Sequence, residues 1–460
     1  MCGIAGFCNF KEDFEENTDY WNFRLEKMRA VLAHRGNDAR GRYLKKHIGL
    51  SHSRLAIRDI LCGDQPMTRT HNGYEYTICY NGEIYNTDEL IPELSENGFV
   101  CSTTSDTEVI LYAYIHWGAD FVNRLNGIFA FAIWDAAKRR LLLYRDRVGV
   151  KPLFYAIRGD SLVFGSEPKA CFAHPAVKPE LDKQGLQELL AIGPAHTSGL
   201  SLFKDLFEVL PGHFMIYSRD GLHDETYWEL TSREHTESYR DTVAHTRFLV
   251  EDAIKRQMVS DVPVCTFLSG GIDSSIVTAI AANYMNTHGK TLNTFSFDFK
   301  DNDRYFKANA FQPERDLPYV NRMLEEYETA HSYLECDENS LFKALFAAVD
   351  AKDMPGMTDV DSSLLYFCSL VSRKNKVALT GECADEIFGG YPWFYRKELL
   401  ERYGFPWSSD VAPRLALLRD DVGLELDLSG YQAFRYEESR SKAPLLYGEA
   451  GEDESRRIIG

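Results

Sequence analysis

The amino-acid sequence predicts two domains of different fold class, an α+β domain followed by an α/β domain. Up to about residue 210, short β-rich runs alternate with polar or glycine-containing turns, which is typical of antiparallel sheets. From about Asp241 onward, long helical segments alternate with isolated apolar strands, which is typical of a parallel sheet. The 460 residues suffice for two full hydrophobic cores. We therefore expect domains at residues 1–215 and 236–460, joined by a linker at residues 216–235.

The first domain is predicted to begin with a helix and to continue mainly as strands. Apolar residues recur at helical spacing through residues 21–32, and Gly36 is a helix-stop signal. Ser105 and Glu108 are spaced as a capping box for a second helix, and Asp182 is the predicted N-cap of a third. The strand candidates between these helices are YTICYNGEIYN, GIFAFAIWD, RLLLYRD, KPLFYAI and SLVFGS.

The second domain is predicted from three apolar strands with helices between them. The strands are DVPVCTFL, LNTFSFDF and KVALT, and helices are expected to start at Ser274 and Asp385. Strands that alternate with helices in this way favour a parallel sheet.

Composition excludes several classes of protein. A net charge of −18 leaves no basic surplus for a nucleic-acid backbone. The first apolar stretch is too short for a signal peptide, and no apolar run is long enough to span a membrane. The ten cysteines show no CxxC pair or Cys/His spacing typical of zinc. We therefore expect a cytoplasmic protein with neither nucleic acid nor membrane as a partner.

A candidate anion site lies in the second domain, where FLSGGIDSSIVTAIA predicts a strand, a glycine turn and a helix. Ser269, Gly270 and Gly271 leave backbone N–H groups free to face an anion, and the positive end of the following helix favours the same charge. The spacing and the missing lysine exclude a Walker P-loop. A plain glycine turn before a capped helix is the alternative, and we favour a phosphate site.

A cluster of acidic residues is predicted to lie nearby. Glu382, Asp385 and Glu386 stand where the third strand ends and a helix begins. Such carboxylates are either an ordinary solvated helix start or ligands for a hard cation that neutralises a polyphosphate. Because open parallel sheets bind ligands beyond the carboxyl ends of their strands, we favour the cation site.

The first domain opens with MCGIAGF, which raises the question of what Cys2 does. A buried structural thiol is the simpler interpretation. If Met1 is removed, however, Cys2 carries both a thiol and a free α-amine, with ordinary pKa values of about 8.5 and about 8. The amine can then act as the base for its own side chain, as with N-terminal threonine nucleophiles.

Further polar groups in the first domain fit such chemistry. Arg54, in HSRLAIRD, has a guanidinium fork suited to a carboxylate. Asn81, Gly82 and Glu83 stand at a strand end, where an amide and a backbone N–H can stabilise an oxyanion. Asp106 adds a carboxylate in the first turn of a helix, where ordinary capping is the alternative.

Taken in order, these motifs resemble a known family. MCGIAGF, HRGND, HSRLAI, YNGEIYN, SDTEVI and RDRVGVKPL occur in the order found in N-terminal-nucleophile (Ntn) glutamine amidotransferases. Together with SGGIDSS and GECADEIFGGY, they resemble the glutamine-hydrolysing asparagine synthetases. The segments at residues 306–320 and 353–367 also resemble bacterial members. The resemblance implies an Ntn-hydrolase four-layer αββα sandwich followed by a parallel-sheet domain of the ATP pyrophosphatase type.

The resemblance also implies roles for individual residues. Cys2 would attack the side-chain amide of glutamine, Asn81 and Gly82 would form the oxyanion hole, and Glu382 would act in forming and consuming an aspartyl-adenylate. The implied glutamine-binding residues are Arg54, Leu55, Ala56, Ile57, Arg58, Asn81, Gly82, Glu83 and Asp106. The implied ATP-binding residues are Leu268, Ser269, Gly270, Gly271, Asp273, Ser274, Phe297, Thr380 and Gly381. Asp273 and Asp385 would hold Mg²⁺, so ATP and Mg²⁺ are the implied cofactors.

The function that the resemblance implies is synthesis of asparagine from aspartate, ATP and glutamine, with ammonia passing internally and with a homodimer as the assembly. The family continues past the end of this sequence with helices that include a phosphate-directed lysine, so we expect a C-terminally shortened synthetase domain. The alternatives are an amidotransferase for another carboxylate, a lactam-forming relative (disfavoured because Cys2 is present), a glutaminase-only homologue, and a non-catalytic binding protein.

Overall fold

The chain folds into two compact units. The computed structural model describes residues 1–308, 314–408 and 410–442, so parts of the predicted family segments at residues 306–320 and after Tyr436 lie outside the described residues. The first unit is Met1–Thr231 with Arg414–Leu428, and the second is Ser232–Pro413 with the chain from Ser429 onward. Within the described ranges, no helix is both long and apolar enough to cross a membrane.

The strands are numbered in chain order. Those of the first unit are β1 (Gly3–Asn9), β2 (Ala39–Lys45), β3 (Ile48–Arg54), β4 (Met67–His71), β5 (Tyr74–Ile84), β6 (Gly127–Asp135), β7 (Arg140–Arg145), β8 (Phe154–Arg158), β9 (Ser161–Gly165), β10 (Phe207–Glu208), β11 (His213–Ser218) and β12 (Gly221–Thr226). Those of the second unit are β13 (Val264–Phe267), β14 (Leu292–Phe299), β15 (Thr329–Cys336) and β16 (Val377–Leu379).

The α-helices are numbered in the same way. They are α1 (Thr18–Ala30), α2 (Thr87–Glu96), α3 (Asp106–Trp117), α4 (Pro168–Phe172), α5 (Lys183–Gln187), α6 (Tyr239–Arg256), α7 (Ile272–Thr287), α8 (Asn302–Tyr305), α9 (Leu317–Glu326), α10 (Glu338–Lys352), α11 (Thr358–Val371), α12 (Ala384–Phe388), α13 (Lys397–Leu400), α14 (Ala412–Leu415), α15 (Asp420–Leu426) and α16 (Leu428–Lys442). Short 3₁₀ turns lie at Phe14–Asn17, Ala33–Arg35, Ala119–Arg124 and Pro392–Phe394, and a π-helical turn lies at Glu188–Ile192.

The first unit is a four-layer αββα sandwich. Residues 1–231, all of them described, form two six-stranded antiparallel sheets with the strand orders β10-β8-β9-β1-β3-β2 and β12-β11-β7-β6-β5-β4. The facing sides of the two sheets enclose one apolar core. The outer side of the first sheet packs on α1 and α4, and the outer side of the second packs on α2 and α3. The layered fold predicted from the sequence is therefore confirmed.

The boundary of the first unit differs from the predicted one. The hairpin of β11 and β12 occupies part of the segment predicted as a linker, because β11 pairs with β7 and completes the second sheet. The later segment Arg414–Leu428 also belongs to this unit. Gln187 Nε2 donates to the Leu426 carbonyl at 2.7 Å.

The helix α3 shows how the predicted capping box is modified. Ser105 is the N-cap as predicted, since its Oγ accepts from the N–H two residues later at 3.2 Å. Glu108 does not close the box. Its buried carboxylate instead accepts from Arg69 Nε at 2.8 Å and from the N–H groups of Ser102 and Thr103 at 2.9 and 2.7 Å. The loop before α3 therefore folds around this carboxylate.

The second unit is an α/β domain. Its described strands form a four-stranded parallel sheet with the order β15-β14-β13-β16. Side chains from α7, together with Met258 just after α6, cover one face, and side chains from α11 cover the other. The three predicted strands and the helix starts near Ser274 and Asp385 are confirmed within a few residues. The edge strand β15 was not predicted, since TAHSYLEC shows no regular alternation of apolar and polar residues.

Glu108 predicts a pH-dependent contribution to stability. Burial alone would raise its pKa, but hydrogen bonds from Arg69, Thr103 and Ser102 outweigh burial and lower the pKa from 4.5 to about 2. Since one pKa unit corresponds to about 1.4 kcal/mol, we expect Glu108→Gln to lower the free energy of unfolding at pH 7 by about 2–3 kcal/mol. Because the pKa of Glu108 is lower in the folded chain than in the unfolded chain, the ionised carboxylate stabilises the fold above pH 4.5. This stabilisation is lost as the pH falls towards 2.

Urea unfolding of the first unit between pH 7 and pH 2 measures this effect. The matched control is Glu93→Gln, which breaks an exposed ion pair with Arg124 and should cost less than about 1 kcal/mol. A difference between wild type and Glu108→Gln that stays constant down to pH 2 would contradict the assignment.

Candidate active site

Cys2 lies at the start of β1, which is an interior strand of the first sheet. Because Gly3 pairs with Ser53 in β3, Cys2 lies beside the end of β3. The Leu55 N–H donates to Cys2 Sγ at 3.4 Å, and the thiol donates to the Leu55 carbonyl at 3.6 Å. Arg35 Nε donates to the Cys2 carbonyl at 2.9 Å. Both the thiol and the backbone of Cys2 are therefore held in place.

Burial controls the protonation of this end of the chain. It raises the pKa of the Cys2 thiol above its ordinary value, since a thiolate is poorly solvated there. It lowers the pKa of the α-amine, which belongs to Met1 in this chain, to about 5. The environment therefore favours an unprotonated amine beside a protonated thiol.

Asn81 has an unused hydrogen-bond donor. The residue is 1% exposed, and its Nδ2 has no hydrogen-bond partner among the described residues. Asn81 shares a strand face with Cys79, whose thiol donates to the Ser51 carbonyl in β3 at 3.2 Å. Asn81 thus lies on the face of β5 that is turned towards the first sheet. A buried donor without a partner is costly, so this amide is suited to an acceptor that arrives with a ligand.

Gly82 follows Asn81 and lies where no side chain fits. A Cβ there would be 2.3 Å from the Ile128 carbonyl oxygen and 2.8 Å from the Phe129 Cα, in the neighbouring strand β6. Only glycine allows β5 and β6 to pair at this position.

A pocket brings most of the predicted glutamine-binding residues together. Cys2, Arg54, Glu83 and Asp106 all line it. Its other lining residues from the predicted set are Leu55, Ile57, Arg58 and Gly82. Asn81 does not line the pocket, and neither does Ala56. The Ala56 N–H donates to Asp38 Oδ2 at 2.8 Å, so Ala56 anchors the loop that carries its neighbours.

Glu83 and Asp106 place two carboxyl groups in this pocket. Asp106 Oδ2 accepts from the Tyr80 hydroxyl at 2.8 Å and from the Ile84 N–H at 3.1 Å. Burial, and then the charge of Asp106, raise the pKa of Glu83 to about 8. Burial also raises the pKa of Asp106. Two buried carboxyl groups that repel one another are a site for a cation, such as an ammonium group.

Arg54 organises the loop that follows β3. It is 5% exposed, and its guanidinium donates to the carbonyls of Arg58 and Ile60 at 3.3 and 3.1 Å and to Asp64 Oδ1 at 3.0 Å. Arg58 in turn donates to the Ile84 carbonyl at 2.9 Å. These bonds tie the loop to the pocket, and the predicted contact of Arg54 with a carboxylate stays a prediction.

In the second unit, the predicted nucleotide residues lie at the carboxyl ends of adjacent strands. Leu268 and the SGGIDSS loop follow β13, Phe297 lies near the end of β14, and Thr380 and Gly381 follow β16. Because β14 and β16 flank β13, the three strand ends are neighbours. The arrangement is the one in which open parallel sheets bind ligands.

Two glycines shape this loop cluster. Gly270 has φ +85°, a conformation that favours glycine and turns the backbone between β13 and α7. Gly381 packs on the start of α7, where a Cβ would lie 2.8 Å from the Ser274 nitrogen and from the Asp273 Cβ. The Ser274 hydroxyl lies 3.0 Å from Ser269 Oγ, which closes the turn.

The predicted acidic residues of this loop cluster are Asp273 and Asp385, with Glu382 and Glu386 close to Asp385 in sequence. Burial and the charge of Asp385 raise the pKa of Asp273, and both residues line one pocket of the second unit. Glu382 is exposed, and Glu386 accepts from the Tyr391 hydroxyl at 3.0 Å. Within the described ranges, no three His, Cys, Asp or Glu side chains form a metal-binding group.

The sequence analysis missed Arg35 and Glu167 as supports of Cys2. Arg35 NH1 donates to Glu167 Oε1 at 2.7 Å, and burial of Glu167 is outweighed by partners that lower its pKa to about 2. Arg35 belongs to the HRGND motif, so the signal was present. Glu167 lies far along the chain, and local sequence gives no indication of the contact.

The comparisons with known proteins agree with this architecture. Residues 1–228 match the glutamine amidotransferase domain family, and residues 245–457 match the asparagine synthase family. Asparagine synthetase [glutamine-hydrolyzing] 3 of Bacillus subtilis (strain 168) is 47% identical over 460 residues, which is 100% of this chain and 74% of that protein. Asparagine synthetase [glutamine-hydrolyzing] 1 of the same organism is 32% identical over 87% of this chain and 60% of that protein.

A third relative is named as an amidase and not as an asparagine synthetase. An amidase of Penicillium rubens is 32% identical over 90% of this chain and 62% of that protein. The layered fold of the first unit and the family model that it matches define the class of protein as a glutamine amidotransferase. Within that class, the chain belongs to the family of glutamine-hydrolysing asparagine synthetases, which are ATP-dependent carbon–nitrogen ligases.

Gly381 provides a test of the loop cluster in the second unit. We expect Gly381→Ala to reduce ATP-dependent pyrophosphate release about tenfold or more, because the added methyl group displaces the start of α7. Glutamate release from glutamine should stay unchanged. Gly423→Ala is the matched control, since a Cβ there meets only the Leu415 side chain at 3.6 Å. Equal pyrophosphate release by both variants would contradict the expected crowding.

Proposed function

We propose that the chain carries the two half-reactions of glutamine-dependent asparagine synthesis. In the first unit, Cys2 releases ammonia from glutamine. In the second unit, the β-carboxylate of aspartate is activated by ATP and then amidated by ammonia. The observation that best supports the first half is the buried, unpartnered Nδ2 of Asn81 on the strand face turned towards the sheet of Cys2.

The glutaminase step follows from the pairing of thiol and amine. Once Met1 is removed, the free α-amine of Cys2 takes the thiol proton, and Sγ attacks the side-chain carbonyl carbon of glutamine. Asn81 Nδ2 and the Gly82 N–H donate to the oxyanion. The amine then gives its proton to the departing ammonia, which leaves a thioester. A water molecule, deprotonated by the same amine, hydrolyses the thioester to glutamate.

The pocket residues give glutamine its orientation. The α-ammonium of the substrate would bind between Glu83 and Asp106, where it neutralises two buried carboxylates. Arg54 would bind the α-carboxylate, while its remaining N–H groups keep the loop at residues 58–64 in place. Leu55, Ile57 and Arg58 would complete the walls.

The synthetase step needs ATP because a carboxylate oxygen is a poor leaving group. Attack of the aspartate β-carboxylate on the α-phosphorus forms β-aspartyl-AMP and releases pyrophosphate. Ammonia then displaces AMP and leaves asparagine. In the structure the Ser269 and Gly271 N–H groups, expected to be free, donate to Ser274 Oγ at 3.2 Å and to Ser269 Oγ at 3.5 Å. Together with the Gly270 N–H they would exchange these bonds for the departing pyrophosphate at the positive end of α7. Glu382, exposed beside this loop, would handle protons as the adenylate forms and reacts.

Leu268, Phe297, Thr380 and Gly381 would contact the nucleotide, and Ser274 would support the turn. Asp273 and Asp385 fit a Mg²⁺ ion, since two carboxylates that line one pocket need a cation and Mg²⁺ is usually held by one or two carboxylates plus phosphates. When bound, the ion would neutralise charge on the polyphosphate. The homodimer and the cytoplasmic location stay predictions.

An acid other than aspartate is a second candidate for the carboxylate that accepts ammonia. One relative of the chain is named as an amidase and not as an asparagine synthetase, so an acceptor other than aspartate is also tested. Pyrophosphate release from ATP with ammonia, measured with aspartate and then with a panel of other acids, separates the two. Release with another acid but not with aspartate would redirect the assignment.

Cys2 and Asn81 provide the test of the first half-reaction. We expect Cys2→Ala to abolish glutamate release from glutamine. We expect Asn81→Ala to lower kcat about 100–1000-fold, because one oxyanion donor is lost. Asparagine formation from ammonia should persist in both variants, which shows that the chain is folded. The mass of the purified chain reports removal of Met1.

The control is Asn9→Ala, which removes a buried asparagine at the opposite end of β1 whose Nδ2 donates to Ser161 Oγ at 2.8 Å. It should retain the glutaminase rate. Full glutaminase activity in Cys2→Ala, or in a chain that keeps Met1, would rule out the nucleophile.

A further inference from the structure

Lys151 is a buried lysine that the proposed reaction does not use. It belongs to the RDRVGVKPL motif, in the loop between β7 and β8, and is 8% exposed. Its backbone is clamped on both sides, since its N–H donates to Asp146 Oδ2 at 2.9 Å and its carbonyl accepts from Arg145 Nε at 3.1 Å. The loop therefore directs the side chain inward. Burial of an ammonium group costs free energy unless the group is paired or hydrogen-bonded.

The contact that Lys151 makes is an unusual one. Its Nζ lies 3.1 Å from the sulfur of Met1. A thioether is a weak hydrogen-bond acceptor and does little to stabilise a buried ammonium group. Removal of Met1 would take even this contact away. The electrostatic interaction between Lys151 and Cys2 would remain.

The charged groups around Lys151 come from several elements. Arg35 reaches it from the turn after α1, Glu83 from β5, Asp146 from its own loop and Cys2 from β1. Burial, followed by Arg35, lowers the pKa of Lys151, while Glu83 and Asp146 support its charged form. Lys151 also acts on the chain terminus, because after burial and alongside Arg35 it helps to lower the pKa of the Met1 α-amine, which occupies the end of the chain in this structure.

We propose that Lys151 is a positioning residue for the nucleophile: its buried positive charge disfavours the ammonium form of the Cys2 α-amine and keeps that amine free to accept the thiol proton. The inference rests on the proposed function, in which Met1 is removed and Cys2 reacts. No atom is gained or lost at Lys151, because the proton moves from Cys2 Sγ to the α-amine while Lys151 keeps its own.

The pH profile of glutaminase kcat/KM tests this role. Lys151→Met removes the charge at similar length, and Lys151→Arg keeps it. Without the charge of Lys151, the α-amine of Cys2 binds a proton more readily. The acidic limb of the kcat/KM profile should therefore move to higher pH by about one unit. Glutaminase should therefore fall about tenfold on the acidic limb and change little on the alkaline plateau. In Lys151→Arg, the acidic limb of the kcat/KM profile should lie at the same pH as in the wild type.

A second measurement does not depend on turnover. The rate at which iodoacetamide alkylates Cys2, followed by mass spectrometry of the N-terminal peptide, should shift along the pH axis in the same way. Lys178→Met, which removes an exposed lysine 3.8 Å from Glu180, is the matched control and should shift neither profile. Lys151→Gln repeats the test with a polar side chain, and ammonia-dependent synthesis reports the folding of each variant.

The outcomes separate the two proposals. Full glutaminase activity in Cys2→Ala would overturn the proposed function itself. If Cys2→Ala is inactive but Lys151→Met keeps the acidic limb in place, only the role of Lys151 fails. An equal loss of activity at every pH, or failure of both Lys151→Met and Lys151→Gln to fold, would assign Lys151 a structural role and overturn the inference.

Discussion

The position of β1 inside the first sheet is the constraint on which the active site depends. β1 is hydrogen-bonded to β3 on one side and to β9 on the other, so the first residues of the chain cannot fray as chain ends usually do. Arg35 adds a bond to the Cys2 carbonyl just before the ladder begins. A terminal residue thereby acquires the fixed position that a nucleophile requires, and its sulfur is held against the backbone of Leu55.

Burial is the second consequence of this arrangement. The same desolvation that stabilises an unprotonated amine also raises the pKa of the thiol and of Glu83. The pocket therefore holds several groups in their neutral forms, and a zwitterionic amino acid supplies charges that these groups can meet. The unpartnered amide of Asn81 belongs to the same pattern, because it carries a cost that a bound acceptor removes.

The candidate site of the second unit depends on its parallel sheet, which brings several loops together at one edge. Parallel strands end on one edge of the sheet, so loops far apart in sequence converge there. The contact of Gly381 with the start of α7 joins the loop after β16 to the loop after β13. Asp273 and Asp385 both line the pocket at this edge, and the charge of Asp385 helps to raise the pKa of Asp273.

Local sequence was sufficient for much of this protein. The alternation of strands and turns predicted both fold classes, because it depends on short-range backbone preferences. The motif order beginning with MCGIAGF carried a resemblance to a family, and that resemblance implied most of the residues that line the pocket. Long-range contacts decided the rest. The bond between Glu167 and Arg35, the bond between Arg69 and Glu108, the hairpin that extends the first unit and the approach of Lys151 to the chain terminus all join segments distant in sequence. Such contacts arise only when sheets pack and helices cover them, so no local pattern of residues encodes them.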